Sequence, residues 1–145
     1  MSAALYNPTI LRLATSIPHQ DRLAAPQGTA ERRSPVCGSR VTIDVTLDEA
    51  GRVRELGQLV RACALGQASA SLMGSHAIGR LEAELVEARD ALAAFLAGTR
   101  DDPGDWPGLE IFAPARAHSA RHASIRLAFE ALVEAVAQAR RAEAA

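Results

Sequence analysis

The run "VTIDVTL" at residues 41–47 alternates apolar and polar side chains without a break. Val41, Ile43, Val45 and Leu47 share one face, and Thr42, Asp44 and Thr46 share the other. A period of two is the pattern of a strand with one buried face. "DEAG" follows as a hairpin turn, and "RVRELGQLV" supplies the return strand. Its alternation slips between Val53 and Leu56, with Gly57 close by, which predicts a bulge or a close backbone approach. "GTAERRSPV" adds an earlier edge strand, where Pro35 is tolerated because an edge position needs no ladder N–H. The expectation is a small antiparallel meander with one buried face.

Helical patterns surround it. "YNPTILRLA" predicts a short first helix, with Asn7 as cap, Pro8 at the first helical position and Ile10, Leu11 and Ala14 as its apolar face. "SIPHQDRLAAPQG", broken by Pro18, Pro26 and Gly28, reads as an irregular connection. Beyond the hairpin, Ala68, Leu72 and Met73 recur at helical spacing. Leu81, Leu85, Ala88, Leu92 and Phe95 then form a stripe that Gly98 stops. "TRDDPGDWPG" reads as a polar loop. "SARHASIRLAFEALVEAVAQARRAEAA" predicts a long last helix with Ile125, Phe129, Leu132 and Val136 inward. Arg140 and Arg141 suit the negative end of its dipole. The fold class is α+β, a small sheet covered by helices.

The 145 residues suit one domain, 1–145, with one core. Aromatics make up 3 % of the chain against 48 % hydrophobic residues overall, much of it alanine, so the core is expected to be built mainly from aliphatics. A net charge of -1 argues against a nucleic-acid binder held by a general positive field. No apolar run approaches the ~20 residues of a membrane span. The start, "MSAALYNPTI", lacks a charged region followed by an apolar one, so the expected compartment is the cytoplasm. No P-loop, dinucleotide fingerprint or G-x-S-x-G elbow points to catalysis. Ser69 and Ser71 read as small residues that let a helix pack closely.

Two cysteines remain, Cys37 in "SPVCGSR" and Cys63 in "RACALGQASAS". A lone cysteine is commonly a small buried hydrophobe. These two sit in Gly- and Ser-rich surroundings and off the apolar stripes. Cys63 falls just before a helix N-terminus, whose free N–H groups favour a thiolate. If the hairpin pairs as drawn, the approach to its first strand and the exit from its second lie at one end. Cys37 and Cys63 then converge into a soft metal site. Their expected sulfur separation is about 4–8 Å without metal, from Zn–S bonds of roughly 2.3 Å. His122, opening the last helix, is a candidate third ligand, with His118 one turn earlier as its competitor. His19 and His76 read as surface or helix-face residues.

Together these segments resemble the U-type iron–sulfur cluster assembly scaffolds, IscU and the N-terminal domain of NifU. "YNPTILRLA" is similar to the family's opening helix, "SPVCGSR" to its first ligand loop, "CALGQASASLM" to its second, and "ARHASIRLAFEAL" to the segment opening its last helix. The resemblance implies a three-stranded antiparallel sheet packed by helices. It implies an iron–sulfur cluster assembled transiently, with a cysteine desulfurase and apo iron–sulfur proteins as partners. Cys37 and Cys63 match the first two ligand cysteines, and His122 matches the histidine beside the third. The family's aspartate is Ser39 here, and its third cysteine is Ala123, or Ser119 in an alternative register. The resemblance implies that the missing cysteine receives sulfur and that the missing aspartate keeps the cluster labile. With two thiolates per chain, a [2Fe–2S] cluster is expected to bridge a homodimer, because such clusters usually have four protein ligands. Zinc on Cys37, Cys63 and His122, a sulfur-relay role, or partner binding alone are the alternatives.

Overall fold

The computed structural model describes residues 5–35 and 38–144. Cys37 and its neighbour Val36 therefore lie outside the described residues. The elements run α1 (Pro8–Ala14), β1 (Gly28–Arg33), β2 (Arg40–Leu47), β3 (Val53–Arg61), α2 (Ala64–His76), α3 (Glu82–Ala97) and α4 (His122–Ala144). Two 3-10 segments, Leu109–Ala117 and Ser119–Arg121, lead into α4. The sheet is antiparallel in the order β1-β2-β3, as expected of the α+β class.

The hairpin forms as its alternation requires. Thr46 pairs with Glu55 and Leu47 with Val53, so Arg54 is the extra residue of a bulge. α4 lies across β1 and β2, and Ile125, Phe129, Leu132 and Val136 are all buried. Asn7 caps α1 by accepting from the Ile10 N–H at 3.0 Å. Gly98 ends α3 at φ 83, a left-handed conformation that costs glycine little. Arg140 joins α4 to α3 through Glu82 at 2.6 Å.

Three expectations need correction. The sheet does not have one buried face: Thr42, Asp44 and Thr46 are buried as well. The connection after α1 covers Asp44, to which Arg22 and the Leu23 N–H donate. It first runs along the outer edge of β3, where the Gln58 N–H donates to the His19 carbonyl at 2.8 Å. It then crosses Gly57, where an added Cβ would lie 2.5 Å from the Asp21 carbonyl oxygen. Glycine at 57 is thus the close backbone approach that the slip in alternation foretold. The second correction concerns α1, which buries Ile10 but leaves Leu11 exposed. Third, the polar loop after α3 buries Trp106. Its indole N–H donates to the Leu72 carbonyl at 2.9 Å, and its ring meets Phe129 edge-on.

Candidate functional site

Strand register places the site. Arg33 pairs with Arg40, and Arg40 with Arg61, so β1 ends, β2 begins and β3 ends at one edge of the sheet. Ser39 immediately precedes β2, and Cys63 follows β3 by two residues. The start of β2 and the end of β3 therefore share one edge, as the hairpin requires. The sulfur separation itself lies outside the described residues.

Cys63 occupies the N-cap of α2 with extended backbone, φ -67 and ψ 171. Its side chain makes no capping hydrogen bond, and its carbonyl accepts from the Gln67 N–H at 2.9 Å. The residue is half-buried with a free thiol. A thiol at this position faces the unpaired N–H groups of a 13-residue helix. Proximity to α4 follows from small residues. An added Cβ on Gly66 would lie 2.8 Å from the Ala62 methyl and 3.2 Å from the Ser124 carbonyl oxygen. One turn on, the Ser69 hydroxyl donates to the Ile125 carbonyl at 2.6 Å. Ser69 thus lets two helices approach and ties them, as its small size suggested.

The first turn of α4 closes the site from the other side. Ser124 and Ser39, both buried, share a hydrogen bond of 3.1 Å between their hydroxyls. Ser124 follows Ala123, so the residue next to the third-cysteine position is the one that meets Ser39. Where the U-type pattern has a carboxylate and a thiolate, this chain has a neutral hydroxyl and a methyl. His122 is half-buried, and its Nε2 is 2.8 Å from the Ala115 carbonyl. A carbonyl only accepts, so Nε2 carries a proton and is not free to bind a metal. Any ligation by His122 is confined to Nδ1. His118 ends the first 3-10 segment, half-buried, and its N–H donates to the same Ala115 carbonyl at 2.9 Å. Among the described residues no three of His, Cys, Asp and Glu cluster as a metal site.

Sequence reasoning overlooked the arginines of this edge. The signal was present in "ERRSPVCGSR" and "LVRAC", but only pairing register puts Arg33, Arg40 and Arg61 side by side.

The site is thus one edge of a mixed helix–sheet domain, with a half-buried cysteine at a helix N-terminus. The N-terminal part of a nitrogen-fixing NifU-like protein from Brucella abortus is 36 % identical, with a TM-score of 0.90 over 96 % of both chains. The chain therefore belongs to the NifU-like N-terminal family, the U-type family that its motifs resemble. A candidate iron–sulfur cluster assembly scaffold protein for the SUF system from Fervidobacterium Islandicum AW-1 shares the fold. It has a TM-score of 0.85 at 19 % identity, over 94 % of this chain and 99 % of that one. No family model matches the chain, and neither does any curated protein. Among the described residues no helix is long and apolar enough to cross a membrane.

Proposed function

We propose that this protein is a cluster assembly scaffold that carries iron or an iron–sulfur cluster as cargo on Cys37 and Cys63. On this reading it takes sulfur from a cysteine desulfurase, hands the cluster to apo iron–sulfur proteins and has no catalytic activity of its own. The observation that carries the reading is the match to a NifU-like domain across 96 % of the chain, joined to a half-exposed thiol at the N-cap of α2.

The departures at Ser39 and Ala123 shape the proposal. One chain offers two thiolates, and its hydroxyl pair donates poorly to a soft metal. A [2Fe–2S] cluster with four thiolate ligands is completed by a second copy, two from each. His122 can join only through Nδ1.

Anaerobic reconstitution with iron and sulfide, followed by absorption spectra and native mass measurement, tests this. The expected product is a dimer holding one cluster, lost in Cys63→Ser. A cluster on a monomer overturns the bridged arrangement. Full loading of Cys63→Ser, or stable uptake of zinc with no uptake of iron, overturns the cargo assignment.

A further inference from the structure

We infer that the arginine row at the cysteine-bearing edge of the sheet is a docking surface for an acidic polypeptide segment of a partner protein. Arg33, Arg40 and Arg61 are consecutive cross-strand partners, so all three side chains leave the same face of the sheet. With strands about 4.8 Å apart the row is roughly 10 Å wide, the reach of two or three acidic side chains. Like charges directly opposite one another on a sheet repel, and nothing in the fold of β1, β2 or β3 requires them.

The row is poorly answered within the chain. Arg33 donates to Glu31 on its own strand at 2.9 Å. Arg40 and Arg61 form no ion pair among the described residues. Glu31 is thus the carboxylate that answers Arg33 and acts on Arg40, and no ion pair reaches Arg61 among the described residues. This surplus stands in a chain whose net charge is -1, so it is a local concentration and not a general basic character. The arginines also border a cleft of about 470 Å³, together with Ser34, Pro35, Gly38 and Ser39.

Exposure favours a polypeptide over a small anion. The Arg33 side chain is 66 % exposed, Arg61 is exposed and Arg40 is half-buried. A single phosphate in such an open row would be strongly screened. Several carboxylates on one backbone engage the row together, and guanidinium pairs with carboxylate in a two-pronged geometry. The row lies within two residues of Cys63, so a partner seated there would stand over the proposed cargo site. The inference goes beyond the cargo reading and is tested without cargo.

The test is fluorescence anisotropy of a labelled hexaglutamate peptide with the metal-free protein. Arg40→Gln/Arg61→Gln is expected to weaken binding about tenfold, since both charges face the peptide. Raising salt from about 20 to about 200 mM should weaken it comparably. Arg52→Gln, an exposed arginine at the opposite end of the hairpin, should bind as the unaltered protein does. Thermal melting checks folding separately, and the double variant should melt no lower because it removes a repulsion. Equal binding by the double variant and the unaltered protein overturns the inference. So does displacement of the peptide by inorganic phosphate at equal charge. Binding of phosphatidylglycerol vesicles in place of the peptide, with the same arginine dependence, also overturns it.

Discussion

Two polar regions of one sheet are handled in opposite ways. In the middle of β2, Asp44 is fully buried and its carboxylate is answered from every side. The Arg22 guanidinium donates at 2.6 and 3.1 Å, the Thr29 hydroxyl at 2.7 Å and the Leu23 N–H at 3.1 Å. At the end of the same strand three arginines stand side by side with one ion pair among them, Arg33 to Glu31, and Cys63 makes no side-chain cap bond. Internal hydrogen bonding completes the first region. The second has donors and charge that the fold does not use. A buried charge without partners is far more costly than an exposed one, so the closed region holds the fold, while the charges of the open one are carried by solvent.

The strongest test of the closed region removes its carboxylate. Asp44→Ala takes away the anchor that holds residues 21–23 against the second face of the sheet. Arg22 is 49 % exposed and can rehydrate, so the loss is less than for a fully buried pair. Three lost partnerships on one carboxylate, one of them an ion pair, predict about 2–3 kcal/mol. For a chain of this size that lowers Tm by roughly 5–10 °C. Urea unfolding with an unchanged midpoint would show that the covering segment is not held by Asp44.

Acid supplies the same test without mutation. Burial pushes the Asp44 carboxyl up, but hydrogen bonds from Arg22, Thr29 and Leu23 together with the nearby guanidinium charge outweigh it. The folded-state pKa ends below the ordinary 3.8. A lowered folded pKa means stability that is present above the ordinary value and lost as pH falls through the folded one. The gap in stability between the unaltered protein and Asp44→Asn should therefore be widest at neutral pH and narrow below about pH 4. A gap independent of pH would mean that shape, and not charge, accounts for the Asp44 effect.

The contrast between the regions also explains what could be read from the sequence. Strands, most of the helix faces, the Asn7 cap and the Gly98 stop follow from local patterns, Leu11 and Leu81 being the exposed exceptions. The second face of the sheet was not legible, because Thr42, Asp44 and Thr46 look solvent-facing in isolation. Asp44 is held by the long-range path of residues 21–23, and an irregular segment has no period to reveal its course. Trp106 was hidden for the same reason: polar neighbours mask a side chain anchored to the distant Leu72 carbonyl. At the site, sequence located Cys63 at a helix start and the losses at Ser39 and Ala123. The bond joining Ser39 to Ser124 spans 85 residues, and only the fold brings the two together.

Helix approach at the open region should tolerate change less well than its exposure suggests. Gly66→Ala gains helix propensity of up to about 1 kcal/mol. The new methyl would meet the Ala62 methyl at 2.8 Å and the Ser124 carbonyl at 3.2 Å, and neither is a flexible chain end. Overpacking of this kind costs about 1–3 kcal/mol, so a net loss of about 1 kcal/mol is expected. Its more telling readout is thiol reactivity, because α2 must shift at the turn that carries Cys63. Alkylation of Cys63 at an unchanged rate would show that the helix contact does not position the thiol.

The smallest expected effect lies at the hydroxyl pair. Ser39→Ala removes one neutral hydrogen bond between two buried groups and should cost about 1 kcal/mol. Ser39→Ala, Ser124→Ala and their combination form a cycle whose coupling energy isolates that bond from each serine's other interactions. The matching cycle on Asp44 and Arg22 should give a larger coupling, because that bond is charge-assisted and the carboxylate is buried. A Ser39–Ser124 coupling equal to the Asp44–Arg22 one would break the comparison. It would mean that the ligand edge is closed by its own hydrogen bonds as firmly as the middle of the sheet, leaving no freedom for cargo to be taken up and released. A small coupling leaves Ser39 and Ser124 as a weak clasp between β2 and α4, one that a ligand at Cys63 can open at little cost.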